Sequence, residues 1–379
     1  MMRRIACGLF WGCLMTSLAH AQNPIRARDL GVPLDGVPGK WNAVTDVAGV
    51  AVGHTTLISG QGKLKVGSGP VRTGVTALLP RGLKAPEPVF AAWFSQNGNG
   101  EMTGTAWIDE SGFLEGPILI TNTSSVGTVR DAATKWWTAR GIQKQPWILP
   151  VVAETYDGYL NDTDGFHVKD KHVADALESA KSGRVAEGNV GGGTGMTTFE
   201  FSGGIGTASR KTRDGFTIGV LVQSNFGRRY QLQVAGVPVG REITEDTFRK
   251  QELGSIIVVV ATDAPLLPHQ LKRLARRVTM GLARTGSVSG NSSGDLFVAF
   301  STAPIEGGDK AGVSKIAMLA NERIDPLFEA TVQATEEAIL NAMVAGRTTI
   351  GRDDHKAVGL PHDRLREVLK KYNRLAANP

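Results

Sequence analysis

Ser255 follows Gly254 and opens the run Ile256–Ala261, IIVVVA, in a chain of 379 residues. β-Branched residues fill most of that run, which predicts a strand buried on both faces. A serine hydroxyl at the mouth of such a strand is a weak nucleophile until a base takes its proton. Histidine is the usual base, and beyond the first 21 residues the chain has His54, His167, His172, His269, His355 and His362. None of these stands in a triad motif, and there is no G-x-S-x-G elbow. A serine at a chain terminus needs no histidine, because its own α-amine, with a pKa near ~7.7–8, can act as the base. That route demands a cut before Ser255, since a peptide nitrogen is not basic. Gly254 suits it: lacking a Cβ, it admits the close approach by which a serine attacks the preceding carbonyl. The plain alternative is a strand-mouth serine after a turn glycine.

Three other polar segments sit at predicted strand ends. Asn291-Ser292-Ser293-Gly294-Asp295 precedes Leu296–Phe300 and reads locally as a polar turn. Val220-Leu221-Val222-Gln223-Ser224-Asn225-Phe226-Gly227 ends a strand in an asparagine and a glycine. Val151-Val152-Ala153-Glu154-Thr155-Tyr156-Asp157-Gly158 runs into another turn, locally an exposed glutamate beside a half-buried tyrosine. The glycine-rich stretch 188–195 invites a phosphate-loop reading but lacks the G-K-[ST] ending and the G-x-G-x-x-G spacing, and 97–104 is a similar glycine-rich stretch. Asp353, Asp354, His355 and His362 lack the helical H-E-x-x-H arrangement of a zinc site. No metal is expected.

The elements that must carry these residues are short apolar runs alternating with a few strong helices. Strands are predicted at Val75–Leu79, Val89–Phe94, Ile118–Thr121, Trp147–Ala153, Thr217–Gln223, Ile256–Ala261 and Leu296–Phe300. Helices are predicted at Val126–Arg140, Val168–Lys181, Leu267–Arg284 and Pro326–Ala345. In the last, Asp325 can cap the start, Gly346 can close the end, and Phe328, Val332, Ile339 and Met343 form an apolar stripe. Such interleaving favours helices layered on sheets, an α/β (α+β) class.

The same segments carry a resemblance. LGSIIVVVATDAPLLPHQLKRLARR, GNSSGDLFVAFST, WNAVTDVAGVAVGH, TGVTALLPRG, ESGFLEGPILITNT, GNVGGGTGM and SNFGRR together resemble the L-aminopeptidase/D-esterase and β-peptidyl aminopeptidase family. The likeness runs from Arg28 to about Tyr372. It implies a four-layer αββα sandwich with N-terminal-nucleophile-like layering and distinct connectivity. It implies a chain that cuts itself between Gly254 and Ser255 into residues 22–254 and 255–379 of one domain. Ser255 would be the nucleophile, Ser293 its hydrogen-bond partner and Asp295 the carboxylate orienting that network. Asn225 would supply the oxyanion donor. Glu154, supported by Tyr156, would bind the substrate amine. The implied activity is a serine aminopeptidase acting on short peptides, amino acid amides or esters, without a cofactor, in a homotetramer or larger assembly. Two alternatives stand beside it. One is an acyltransferase like ornithine acetyltransferase, against which the serine at position 255 argues, since that family uses threonine. The other is a non-catalytic periplasmic binding protein.

The first residues read as an export signal. Arg3 and Arg4 precede an apolar stretch from Ile5 to Leu18, and Ala19-His20-Ala21 is a small-x-small cleavage site before Gln22. This signal, residues 1–21, would direct the chain to the periplasm and carry away both cysteines, Cys7 and Cys13; a lipoprotein reading at Cys13 is disfavoured by bulky Trp11. No disulfide or thiolate chemistry would remain. No later stretch matches a membrane span. The net charge of +6 is mild, the hydrophobic fraction of 41% supports a sizeable core, and the basic residues are scattered. Nucleic-acid binding is therefore not expected.

Overall fold

The computed structural model describes residues 25–83, 87–142, 145–251, 253–307 and 312–376. The proposed signal segment lies outside them. In chain order the main elements are β1 (Ala51–Ser59), β2 (Val71–Leu79), β3 (Val89–Gly98), β4 (Phe113–Leu114), β5 (Ile118–Asn122), α1 (Val126–Thr138), β6 (Val151–Thr155), α2 (Asp170–Glu178), β7 (Gly204–Lys211), β8 (Thr217–Asn225), β9 (Ser255–Thr262), α3 (Pro268–Arg284), β10 (Gly294–Ser301) and α4 (Asp325–Ala345).

The strands form two main sheets. One has the order β1-β2-β5-β6, and the other β4-β3-β10-β9-β8-β7. β9 and β10 are parallel, joined by α3, and each is flanked on its other side by an antiparallel neighbour, β8 and β3 respectively. Side-chain alternation sorts the residues into layers. Ile257, Val259, Leu296 and Val298 meet Ile118, Ile120, Val151 and Ala153 between the sheets. On the other face Ile256, Val258, Val260 and Phe297 pack with Leu271, Leu274 and Val278 of α3 and with Ala338, Ile339 and Met343 of α4. Val75, Ala77, Leu119 and Val152 pack under Val129, Trp136 and Trp137 of α1 and Val173 and Leu177 of α2. The result is the αββα sandwich.

Three sequence expectations need correction. The strand predicted from Trp147 begins only at Val151. Pro146 and Pro150 offer no N–H for a ladder, and Trp147 is 58% exposed. The stripe on α4 is too narrow a description, because every residue from Ala330 to Val344 is buried. The chain segment before β1 covers the face that a stripe would leave wet. Ala27 N–H donates to Asn341 Oδ1 at 3.0 Å, and Arg28 and Arg210 both donate to the Glu337 carboxylate. At the helix start Ile324 holds the capping position, and Asp325 is already helical. Among the described residues no helix is long and apolar enough to cross a membrane.

Candidate active site

Three strand ends meet at one edge of the larger sheet. Asn225, the last residue of β8, lies directly opposite Ser255, the first of β9. Ser255 in turn pairs with Gly294, the first of β10. Opposed residues on antiparallel strands share a face, so Asn225 and Ser255 point to the same side of the sheet. That side faces β6. Gln223 Nε2 donates to Thr155 Oγ1 at 2.9 Å, and Asn225 Nδ2 donates to Tyr156 O at 2.8 Å. These bonds tie the end of one sheet to the end of the other and fix where Glu154 emerges.

Ser255 Oγ donates to the carbonyl of Gly254 at 2.7 Å. Gly294 N–H lies 3.3 Å from both Ser255 Oγ and Gly254 O, so it polarises the carbonyl that the hydroxyl faces. Close packing explains both glycines. A Cβ on Gly254 would stand 2.3 Å from Asn225 O, and one on Gly294 2.5 Å from Asn99 O. Among the described residues these are the hydrogen-bond partners of Ser255 Oγ. Ser293 Oγ instead donates to Asp295 Oδ1 at 2.5 Å. Strand alternation sets Asp295 beside Ile256, on the face opposite Ser255, where Asn97 Nδ2 approaches its Oδ2 at 3.4 Å. The Ser293–Asp295 pair thus lies next to Ser255 without bonding its Oγ.

A cavity of about 490 Å³ opens over Ser255, lined also by Gly98, Glu101, Thr123, Glu154, Tyr156 and Leu253. Glu154 is only 3% exposed, not the open turn residue that local sequence suggests. Its Oε1 accepts Glu101 N–H at 3.1 Å, and its Oε2 accepts the Thr123 hydroxyl. Burial pushes its carboxyl above the usual glutamate range; the Thr123 and Glu101 N–H bonds pull the other way, and the Glu101 and Asp157 carboxyls add a push upward. Tyr156 is 45% exposed at the rim. None of the described lining residues is a histidine. His54 is half-buried on β1, its Nδ1 3.0 Å from Thr76 Oγ1, and desolvation of the ring pushes it down to about 4.

Residues 42–357 match the model of peptidase family S58. The chain belongs to that family. It is a hydrolase of the aminopeptidase kind. It is 54% identical to the β-peptidyl aminopeptidase BapA of Sphingosinicella microcystinivorans, over 97% of each chain. The L-aminopeptidase D-Ala-esterase/amidase of Ochrobactrum anthropi, described as a new variant among the Ntn hydrolase fold, superposes with a TM-score of 0.87 at 47% identity, covering 93% of this chain and 99% of that one. A Burkholderia sp. β-aminopeptidase superposes at 0.85 with 46% identity, covering 94% and 100%.

The structure gathers Ser255, Gly254, Glu154 and Tyr156 around one cavity, with Asn225 opposite Ser255 on the neighbouring strand and Ser293 and Asp295 one step behind. Sequence reasoning missed the N–H of Gly294, which carries no side-chain signal. It also missed Thr123 and Asp157. The Asp157 carboxyl is buried, which pushes it up to about 6 against hydrogen bonds from Thr73, Asn161 and Asn122. Its place two residues after Thr155, in a segment already singled out, was the available clue. Asp353, His355 and His362 are engaged elsewhere, with Leu64 N–H, Tyr159 O and Val344 O.

Proposed function

We propose that this peptidase is a self-processing β-peptidyl aminopeptidase, with Ser255 as nucleophile. The observation that carries this reading is a single cavity lined by both the Ser255 hydroxyl and the buried Glu154 carboxylate. A carboxylate with no cation among the described residues lining the cavity suits a substrate ammonium, and the hydroxyl lies where the first acyl carbon would sit. The names of the similar enzymes support β-amino acyl groups among the substrates. After the cut, the Ser255 amine takes the hydroxyl proton. The hydroxyl oxygen attacks the substrate carbonyl, Asn225 Nδ2 donates to the oxyanion, and the amine passes the proton to the departing nitrogen. Water then releases the acyl group by the same route. Residues 1–21 serve as the export signal, and the processed chain works in the periplasm as a homo-oligomer, free of the membrane.

Paired kinetics test the amine recognition. One β-amino acyl p-nitroanilide is compared with its N-acetyl form. A charge-assisted hydrogen bond is worth ~1.5–3 kcal/mol, so Glu154→Gln should lower kcat/KM for the free amine by ~10–100-fold. The acetylated compound should already be poor for the unmodified enzyme. Equal rates on the two compounds would remove the amine-recognition role from Glu154.

A pH profile tests the charge on Glu154. With its pKa raised, the carboxylate is lost as pH falls through a value above that of an ordinary glutamate, and amine binding goes with it. Protonation of the Ser255 amine is lost as pH rises, so it governs a separate break at higher pH. The acid limb of log kcat/KM should therefore steepen from slope one to slope two. Glu154→Gln should keep the first break and abolish the second; a second break unchanged in that variant assigns it to another group.

A further inference from the structure

Phe248 and Arg249, shortly before Gly254, are bound to the site by their main-chain N–H groups and by their side chains. Glu200 Oε1 accepts the N–H groups of Phe248 and Arg249 at 2.7 and 2.6 Å, and its Oε2 accepts Arg229 N–H at 2.8 Å. The Phe248 ring stacks on Tyr159 at 4.0 Å and 7°. Glu200 stands at φ 63 and its neighbour Phe199 at φ 49, a left-handed conformation that costs non-glycine residues roughly 1–2 kcal/mol each. The Arg229 guanidinium holds this turn by donating to the carbonyls of both residues, at 2.9 Å each. Strain kept in place by so many bonds marks a turn that must present something accurately.

What it presents is Arg249. Arg249 Nη2 donates to Thr197 Oγ1 at 2.6 Å and to Thr197 O at 3.1 Å, and Nη1 donates to Gly227 O at 3.1 Å. Thr197 N–H donates to Asn225 Oδ1 at 2.9 Å, with its hydroxyl 3.4 Å from the same atom. Asn225 Nδ2 points the other way, to Tyr156 O. An unbroken line of polar contacts therefore runs from Arg249 through Thr197 to the amide opposite Ser255. We propose that Arg249 is a positioning residue for Asn225: its guanidinium fixes Thr197, and Thr197 fixes the plane of the Asn225 amide. The tail that ends at Gly254 would then remain part of the working site after the cut. This rests on Asn225 being the oxyanion donor. Successive donors in such a line strengthen one another, so removing the first weakens the last.

The test uses the full chain in five forms: unmodified, Arg249→Ala, Arg249→Lys, Asn225→Ala and the Arg249→Ala/Asn225→Ala double variant. Turnover is measured on processed enzyme with a free-amine p-nitroanilide. Arg249→Ala should lower kcat by about tenfold and leave KM within about twofold, since coupled neighbours show interaction effects of this size. Added guanidinium chloride at sub-denaturing concentration should restore part of that kcat, and should do nothing for Asn225→Ala. The double variant should be no slower than Asn225→Ala alone. If Asn225→Ala is slow but Arg249→Ala keeps full kcat, or the two losses multiply in full, the role of Arg249 is overturned while the oxyanion reading stands. If Asn225→Ala itself turns over normally, the oxyanion reading fails first. Should Arg249→Ala stay uncut, Arg249→Lys decides: it keeps the charge but not the two-pronged donation. A loss of kcat at unchanged KM supports the proposal, and an unchanged kcat overturns it.

Discussion

Replacing Ser255 by alanine should leave one uncut chain with no measurable turnover. The unmodified protein should run as two bands on a denaturing gel, the smaller beginning Ser-Ile-Ile. The physical basis is local. The Ser255 hydroxyl faces the Gly254 carbonyl at 2.7 Å, and Gly294 N–H stands 3.3 Å from that carbonyl oxygen. Attack of Oγ on the Gly254 carbonyl carbon forms an ester bond, breaks the C–N bond and gives the nitrogen a proton. Water then hydrolyses the ester to a Gly254 carboxylate and a Ser255 that carries a free amine and a free hydroxyl. Alanine removes the attacking atom from both processing and turnover. Loss of a nucleophile that acts with its base as a unit costs ~10⁶ in rate. Fully active enzyme that remains a single chain would sink the mechanism, because its base would still be a peptide nitrogen.

Asn225→Ala should lower turnover by ~10²–10³ while the chain still folds. One N–H of its amide is used on Tyr156 O at 2.8 Å, which holds the group in place and leaves the other for the oxyanion. The truncation also leaves Thr197 N–H and Tyr156 O short of a partner inside a buried site, at a cost of about 1–3 kcal/mol of stability. The measurement is therefore kcat on processed, folded protein, with a melting curve beside it. Full turnover in this variant would move the oxyanion role to backbone donors such as Gly294.

Much of the fold was legible because its central strands are apolar on both faces. Ile256–Ala261 and Leu296–Phe300 lie between a helix layer and a second sheet, and their sequences are accordingly unbroken apolar runs. β1 and β7 escaped notice for the opposite reason. AVGHTTLIS and GIGTASRK mix glycine, threonine and charge, and only their ladders to β2 and β8 make them strands. The candidate site was legible where polar residues follow such runs, as with Asn225 and Glu154. Burial was not. Glu154 looks like a turn residue until the segment around Gly100 closes over it, and that closure is a long-range contact. Gly294 illustrates the limit most sharply, since its contribution is a main-chain N–H aimed by the register of two parallel strands.

That register has a consequence for what a cut would do. β9 and β10 lie after Gly254, yet they are enclosed by β8 on one side and β3 on the other, both from before it. The two pieces would share one ladder-bonded sheet and a common core, so parting them would mean breaking both ladders. Their separation would then be coupled to unfolding of the sheet. Specific activity should stay constant as the enzyme is diluted, apart from any change in assembly. Mixing separately denatured pieces should recover it only by refolding the sheet around its middle strands.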